Sequence, residues 1–215
     1  MSPFPVILSA PSGGGKTTIA HHLLRHRDDL GYSVSCTTRK PRSGEKDGSD
    51  YYFVTRAEFE SARAKGEFAE SAEVHGNFYG TLRREVDRVM TSGRHVVMDI
   101  DVQGARQFAE AYPESVLIFV LPPDARIMLE RLTARGSESA DSLSRRLRSA
   151  VAELRSVDLY GYLVVNDDLG EAVRTISGII DAEESRLNHV AGYRERVGAL
   201  VADLESVLEK MNRSV

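Results

Sequence analysis

Val6-Ile7-Leu8-Ser9-Ala10-Pro11-Ser12-Gly13-Gly14-Gly15-Lys16-Thr17 is the stretch that decides the fold. A short apolar, β-branched run reads as a buried strand, glycines follow it, and a helical pattern begins at Lys16. Glycines let a backbone curl so that several N–H groups converge on one anion, and a helix N-terminus adds partial positive charge there. Ala10, Pro11, Ser12, Gly13, Gly14, Gly15, Lys16 and Thr17 therefore read as a loop that cradles the phosphates of a nucleoside triphosphate. Lys16 would bridge the β- and γ-phosphates, and the Thr17 hydroxyl would be a ligand for Mg2+. Ala10 stands where the pattern GxxxxGK[ST] has its first glycine, and a negative φ accommodates the methyl group.

Outward from this loop, short apolar runs alternate with helical patterns. Strands are predicted at Val6–Ser9, His95–Ile100, Ser115–Leu121 and Tyr162–Val165, and helices near 16–27, 82–91, 102–111, 124–134 and 142–156. Strands apolar on both faces and separated by helices predict an α/β fold of three layers with a mostly parallel central sheet. Residues 33–81 break the rhythm. Strand-like runs at 51–54 and 68–74, and a helix opened by the capping-box spacing Thr55-Arg56-Ala57-Glu58, predict a small mixed α+β insertion. The expected organisation is a core of 1–32, 82–123 and 157–187, the insertion 33–81, a helical lid 124–156 with a mobile tip at 135–141, and a C-terminal helical extension 188–215.

The chain has 215 residues and a formal net charge of −4, which argues against a nucleic-acid binder. Its one cysteine, Cys36, fits a reducing compartment, and the N-terminal apolar run is too short for a signal peptide or membrane span. A cytoplasmic location and the absence of membrane partners are the expectations.

Asp99 and Asp101 flank Ile100 at the end of a predicted strand, so period-2 alternation puts both carboxylates on one side at the sheet's C-terminal edge. They fit a role near a metal or a second substrate, and a helix N-cap explains only one of them. A phosphate loop alone leaves motors, GTPases and small-molecule kinases open. The chain has no Asn-Lys-x-Asp motif for reading a base, and it is short for a motor. Arg39 and Arg42, with tyrosines close by in sequence, fit a phosphate grip. Glu70 could accept from two adjacent donors, which guanine offers and adenine does not.

The runs Ser35…Thr37-Thr38-Arg39-x-Pro41-Arg42-x-Gly44-Glu45, Asp50-Tyr51-x-Phe53, Asn77-x-Tyr79-Gly80, Asp99-Ile100-Asp101-x-Gln103-Gly104, Arg131-Leu132-x-x-Arg135-Gly136 and Val165-Asn166-Asp167-Asp168 strongly resemble guanylate kinase, in order and spacing, from about 5 to 187. The resemblance implies Mg2+-dependent phosphoryl transfer from ATP to GMP, and to dGMP as well. It implies that Arg39, Arg42, Tyr51 and Tyr79 grip the GMP phosphate, with Glu45 orienting Arg42. Ser35, Glu70, Thr81 and Asp101 would read the guanine edge, Thr81 standing where serine is frequent. Asp99 would sit by the reacting phosphates, Arg131, Arg135 and Arg146 in the lid, and Asn166 near the adenine. The competing readings are another small-molecule kinase and a non-catalytic binding module of the same fold.

Between Arg126 and Arg155 there are seven arginines and no lysine, and a planar, always-charged fork suits a transferring phosphoryl group. Outside the three lid arginines, the simpler reading is a solvated surface; Arg145, for instance, is spaced to pair with Asp141. In the tail, Val190, Tyr193, Val197, Leu200, Leu204, Val207 and Met211 alternate three and four apart. That stripe fits a helix packed on its own domain or one paired with another subunit as a homo-oligomer.

Overall fold

The computed structural model describes residues 2–74, 76–133 and 140–213. The element order is β1 (Pro5–Ser9), α1 (Lys16–His26), β2 (Leu30–Tyr32), β3 (Cys36–Thr37), β4 (Tyr52–Phe53), α2 (Arg56–Ala64), β5 (Phe68–Val74), β6 (Asn77–Leu82), α3 (Arg83–Thr91), β7 (His95–Asp99), α4 (Val102–Ala111), β8 (Val116–Leu121), α5 (Ala125–Thr133), α6 (Ala140–Leu154), β9 (Tyr162–Val165), α7 (Leu169–Glu184) and α8 (Tyr193–Arg213).

β1 is buried along its whole length because it lies at the centre of a five-stranded parallel sheet, order β2-β7-β1-β8-β9. Alternate side chains feed two cores. Val6 and Leu8 pack with Ile19, Leu23, Ile176 and Ile180 of α1 and α7, whereas Ile7 packs with Val86, Val89, Ala105 and Phe108 of α3 and α4. A strand buried on both faces can afford no polar alternation, so its sequence reads as an unbroken apolar run.

Leu8 and Asp99 are register partners, and β7 and β8 leave β1 on opposite sides. The strand order therefore switches at β1, opening a crevice beyond the C-terminal ends of β1 and β7. Ser9 Oγ donates to Ile100 O at 2.9 Å and ties the two exits together.

The insertion forms its own four-stranded sheet, order β4-β3-β6-β5, over a core of Phe59, Phe68 and Phe78. Its helix α2 starts as predicted: Thr55 accepts from Glu58 N, and the Glu58 carboxylate accepts from Thr55 N. Such a cap contributes about 1 kcal/mol.

Two findings differ from the sequence expectation, and a third bears on two readings of the tail that the sequence leaves open. α7 was not anticipated, although Asp168 caps it and Ala172, Ile176 and Ile180 lie four apart on its buried face. The short strands β2, β3 and β6 were also unassigned. The tail helix α8 does not pack on its own domain: Val197, Leu200, Leu204, Val207 and Met211 are all exposed. The tip expected at 135–141 lies outside the described residues except for Ala140 and Asp141, which open α6. Among the described residues no helix is long and apolar enough to cross a membrane.

Candidate active site

A cleft of about 720 Å³ opens at the switch point, and both halves of the sequence-predicted site face it. From the loop come Ala10, Ser12, Lys16 and Thr17; from the strand end, Asp99 and Asp101; from the insertion, Ser35, Arg42, Tyr51, Glu70 and Tyr79. The helix α6 adds Arg146, together with Arg145 and Glu153.

The loop is shaped by its glycines. Gly15 caps α1 in the left-handed region, φ 91°, and a Cβ there would collide with the Asn166 amide. Asn166 is buried and donates through Nδ2 to Gly14 O at 2.9 Å. Asn166, which the resemblance puts near an adenine, braces the phosphate loop with its side chain, and its carbonyl accepts from Arg131 Nη2 at 3.2 Å. Among the described residues, Arg131 Nη1 is buried without a hydrogen-bond partner. Ala10 is buried, and its methyl fits because Gly14 opposite carries no side chain.

Thr17 donates its hydroxyl to Asp99 Oδ2, and Tyr32 donates to Asp99 Oδ1 at 2.6 Å. Two hard oxygen donors on adjacent elements, one of them charged, make a donor set that fits Mg2+. Tyr32 has no motif around it, so only the pairing of β2 with β7 brings it to Asp99.

Glu70 is buried at 5% exposure, where Thr81 Oγ1 donates to its Oε1 at 2.7 Å. Burial lifts its carboxyl to about 7; the Thr81 hydroxyl opposes that rise, and the nearby Asp101 charge adds to it. Gly104 makes room for this carboxylate, since a Cβ there would lie 2.5 Å from Glu70 Oε2. Ser35 Oγ lies 3.5 Å from Thr81 Oγ1. Asp101 does two things, capping α4 through Gly104 N at 2.9 Å while facing the cleft.

Beside it, Glu45 holds Arg39 rather than the Arg42 side chain. The carboxylate accepts from Arg39 Nη1 at 2.8 Å and Nη2 at 2.9 Å, and from the Arg42 backbone N at 2.7 Å. This bidentate pair keeps the Glu45 carboxyl below its usual range and fixes the guanidinium plane over Tyr51, 5.2 Å from the ring centroid. Burial, followed by the Asp99 charge, raises the Tyr51 hydroxyl to about 12, so it stays a donor at neutral pH.

Arg126 pairs with Glu130 at 2.8 Å on the surface, as the simpler reading expects. Arg145 is exposed and lines the cleft, and the Asp141 side chain with which its spacing pairs it lies outside the described residues. Glu153 was missed altogether; it accepts from Ser12 N at 3.1 Å and so joins α6 to the phosphate loop. No local sequence signal marks a contact between residues 141 positions apart. Arg135 lies outside the described residues.

The sequence model of guanylate kinase matches residues 2–183. The chain belongs to the guanylate kinase family. The Symbiobacterium thermophilum guanylate kinase is 44% identical over 205 residues, 95% of this chain and 93% of that protein. The Geobacter metallireducens guanylate kinase is 47% identical over 180 residues, 84% of this chain and 89% of that protein. The crystal structure of guanylate kinase from Anaplasma phagocytophilum matches with a TM-score of 0.75 at 37% identity, covering 90% of this chain and 93% of that one. Family membership makes the chain an ATP:GMP phosphotransferase of the nucleoside monophosphate kinase type.

Proposed function

We propose that the cleft performs this transfer, with each residue in the role that its surroundings support. The observation that carries the reading is a single cavity faced by both the phosphate loop and a buried carboxylate with free acceptor capacity, Glu70.

Glu70 accepts from the adjacent guanine donors, while Asp101, Ser35 and Thr81 complete the edge. Adenine would set a lone pair against the carboxylate and lose the pairing. Arg39, fixed by Glu45, and Arg42 hold the GMP phosphate with the hydroxyls of Tyr51 and Tyr79. All these contacts go to the base or the phosphate, so dGMP serves as a second acceptor. On the ATP side, the amides of residues 10–17 and the Lys16 ammonium take the triphosphate, and Asn166 keeps the loop in shape.

Thr17 and Asp99 would hold Mg2+, which when bound neutralises charge on the phosphates. A GMP phosphate oxygen attacks the γ-phosphorus in line, and ADP leaves. Lys16, Arg131, Arg135 and Arg146 balance the charge spread over the transferring group. The buried, unpartnered N–H of Arg131 supports its part, because such a donor is costly unless a phosphate oxygen completes it.

The core, insertion and lid act as the three units anticipated from the sequence, the latter two closing on the core to exclude water. A net charge of −4 supports small-molecule substrates over nucleic acid, and the single, buried Cys36 supports a cytoplasmic setting. Residues 188–215 serve assembly of a homo-oligomer rather than catalysis.

Steady-state kinetics of two variants test the assignment. Lys16→Ala removes most turnover with the fold intact, and Arg42→Ala damages both KM for GMP and kcat. Wild-type kinetics in either would overturn the corresponding role.

A further inference from the structure

The helix α8 spans 21 residues, about 31 Å at ~1.5 Å per residue. It lies wholly beyond residue 183, where the family match ends. Seven of its large apolar side chains, Val197, Leu200, Val201, Leu204, Val207, Leu208 and Met211, are 46–62% exposed. Most of the exposed large apolar side chains among the described residues sit on this one helix. They are not scattered: 197, 200, 204, 207 and 211 form a strict three–four stripe, and 201 and 208 widen it on one flank.

We propose that α8 is a dimerisation helix whose occupant is α8 of a second copy of this chain, packed antiparallel about a two-fold axis. The area is sufficient. At on the order of 100 Å² for each of the seven side chains, a pair would bury roughly 1,400 Å², inside the ~1,200–2,000 Å² of stable interfaces. An isologous pairing also matches the pattern to itself. With the helices antiparallel and overlapped almost end to end, Leu200 meets Leu204, Val197 meets Val207 and Tyr193 meets Met211, each pair occurring twice.

Charge selects the antiparallel orientation. α8 carries four basic and four acidic residues, so the whole −4 of the chain resides in the remainder. A parallel pair would bring both negative bodies to the same end; an antiparallel pair holds them apart. Opposed helix dipoles act in the same direction. The balanced polar face, with Glu195, Asp203, Glu205 and Glu209, disfavours a membrane surface as the occupant.

This proposal is independent of the catalytic roles, and its test separates the two. Sedimentation velocity of the full chain at tens of micromolar is expected to give twice 23.8 kDa. Leu200→Glu and Leu204→Glu are each expected to give one chain's mass, with turnover per chain within about twofold of wild type, since surface changes distant from a site act independently. Orientation is read by diamide cross-linking in a Cys36→Ala background. Val197→Cys mixed with Val207→Cys is expected to link, and neither variant alone. A wild-type mass of one chain, a mass of more than two, or a dimer that survives both glutamates would overturn the dimerisation helix. Self-linking of Val197→Cys would overturn the antiparallel arrangement.

Discussion

Thr81 Oγ1 donates to Glu70 Oε1 at 2.7 Å, and the Thr81 backbone also hydrogen-bonds this carboxylate, which is buried at 5% exposure. Burial outweighs these bonds and lifts the Glu70 carboxyl to about 7. The folded protein therefore binds a proton that the unfolded chain releases near the ordinary glutamate value of 4.5. The stabilisation from that proton is complete below 4.5 and is lost as pH rises through about 7. Substrate-free protein should show a Tm that declines from pH 5 to pH 8, and Glu70→Gln should flatten that decline. A Glu70→Gln profile parallel to wild type would contradict it.

GMP binding has the opposite dependence. Its two guanine donors need the ionised carboxylate, so affinity should rise with pH up to about 7 and then level off. Calorimetry near pH 6, in buffers of different ionisation enthalpy, should detect protons released on binding. Equal apparent enthalpies in all buffers would show that Glu70 does not titrate with GMP.

Gly104→Ala places a methyl group 2.5 Å from Glu70 Oε2, with the carboxylate confined by its own burial. The carboxylate must move, so KM for GMP should rise by about tenfold or more, with KM for ATP near wild type. Equal effects on both substrates would indicate general damage instead.

Glu153 holds a negative charge against the Ser12 amide, in the cleft where a triphosphate would lie. Glu153→Gln keeps the shape and removes the repulsion. At the dielectric of a partly solvated site this is worth about 1 kcal/mol, so ATP should bind about fivefold tighter. Weaker ATP binding would mean that the carboxylate supports the loop more than it opposes the ligand.

The parts legible in the sequence were those set by local rules. β1 announces itself by an unbroken apolar run, the phosphate loop by glycines between a strand and a helix, and α2 by its capping box. The helix α7 carried a readable signal as well, in Asp168 followed by Ala172, Ile176 and Ile180. Other features depend on tertiary placement. The two-residue strand β3 has no pattern of its own and exists through its pairing with β4 and β6. Asn166 bracing Gly14 across 152 positions, Tyr32 holding Asp99, and Glu153 meeting Ser12 arise only when the sheet brings its strand ends together. The Glu45 contact shows a subtler limit. The resemblance implies that Glu45 orients Arg42, whereas the fold gives its carboxylate to the Arg39 side chain and the Arg42 backbone N–H.

The most direct test is an ADP-release assay with ATP and Mg2+, supplying GMP, AMP, CMP or UMP in turn to wild type and to Glu70→Gln. Wild type should turn over GMP at least about a hundredfold more efficiently than the others, and the variant should lose most of that margin, because an unmatched buried polar group rejects the wrong base. An unchanged preference for GMP in Glu70→Gln, or a wild-type preference for another acceptor, would contradict selection by this carboxylate.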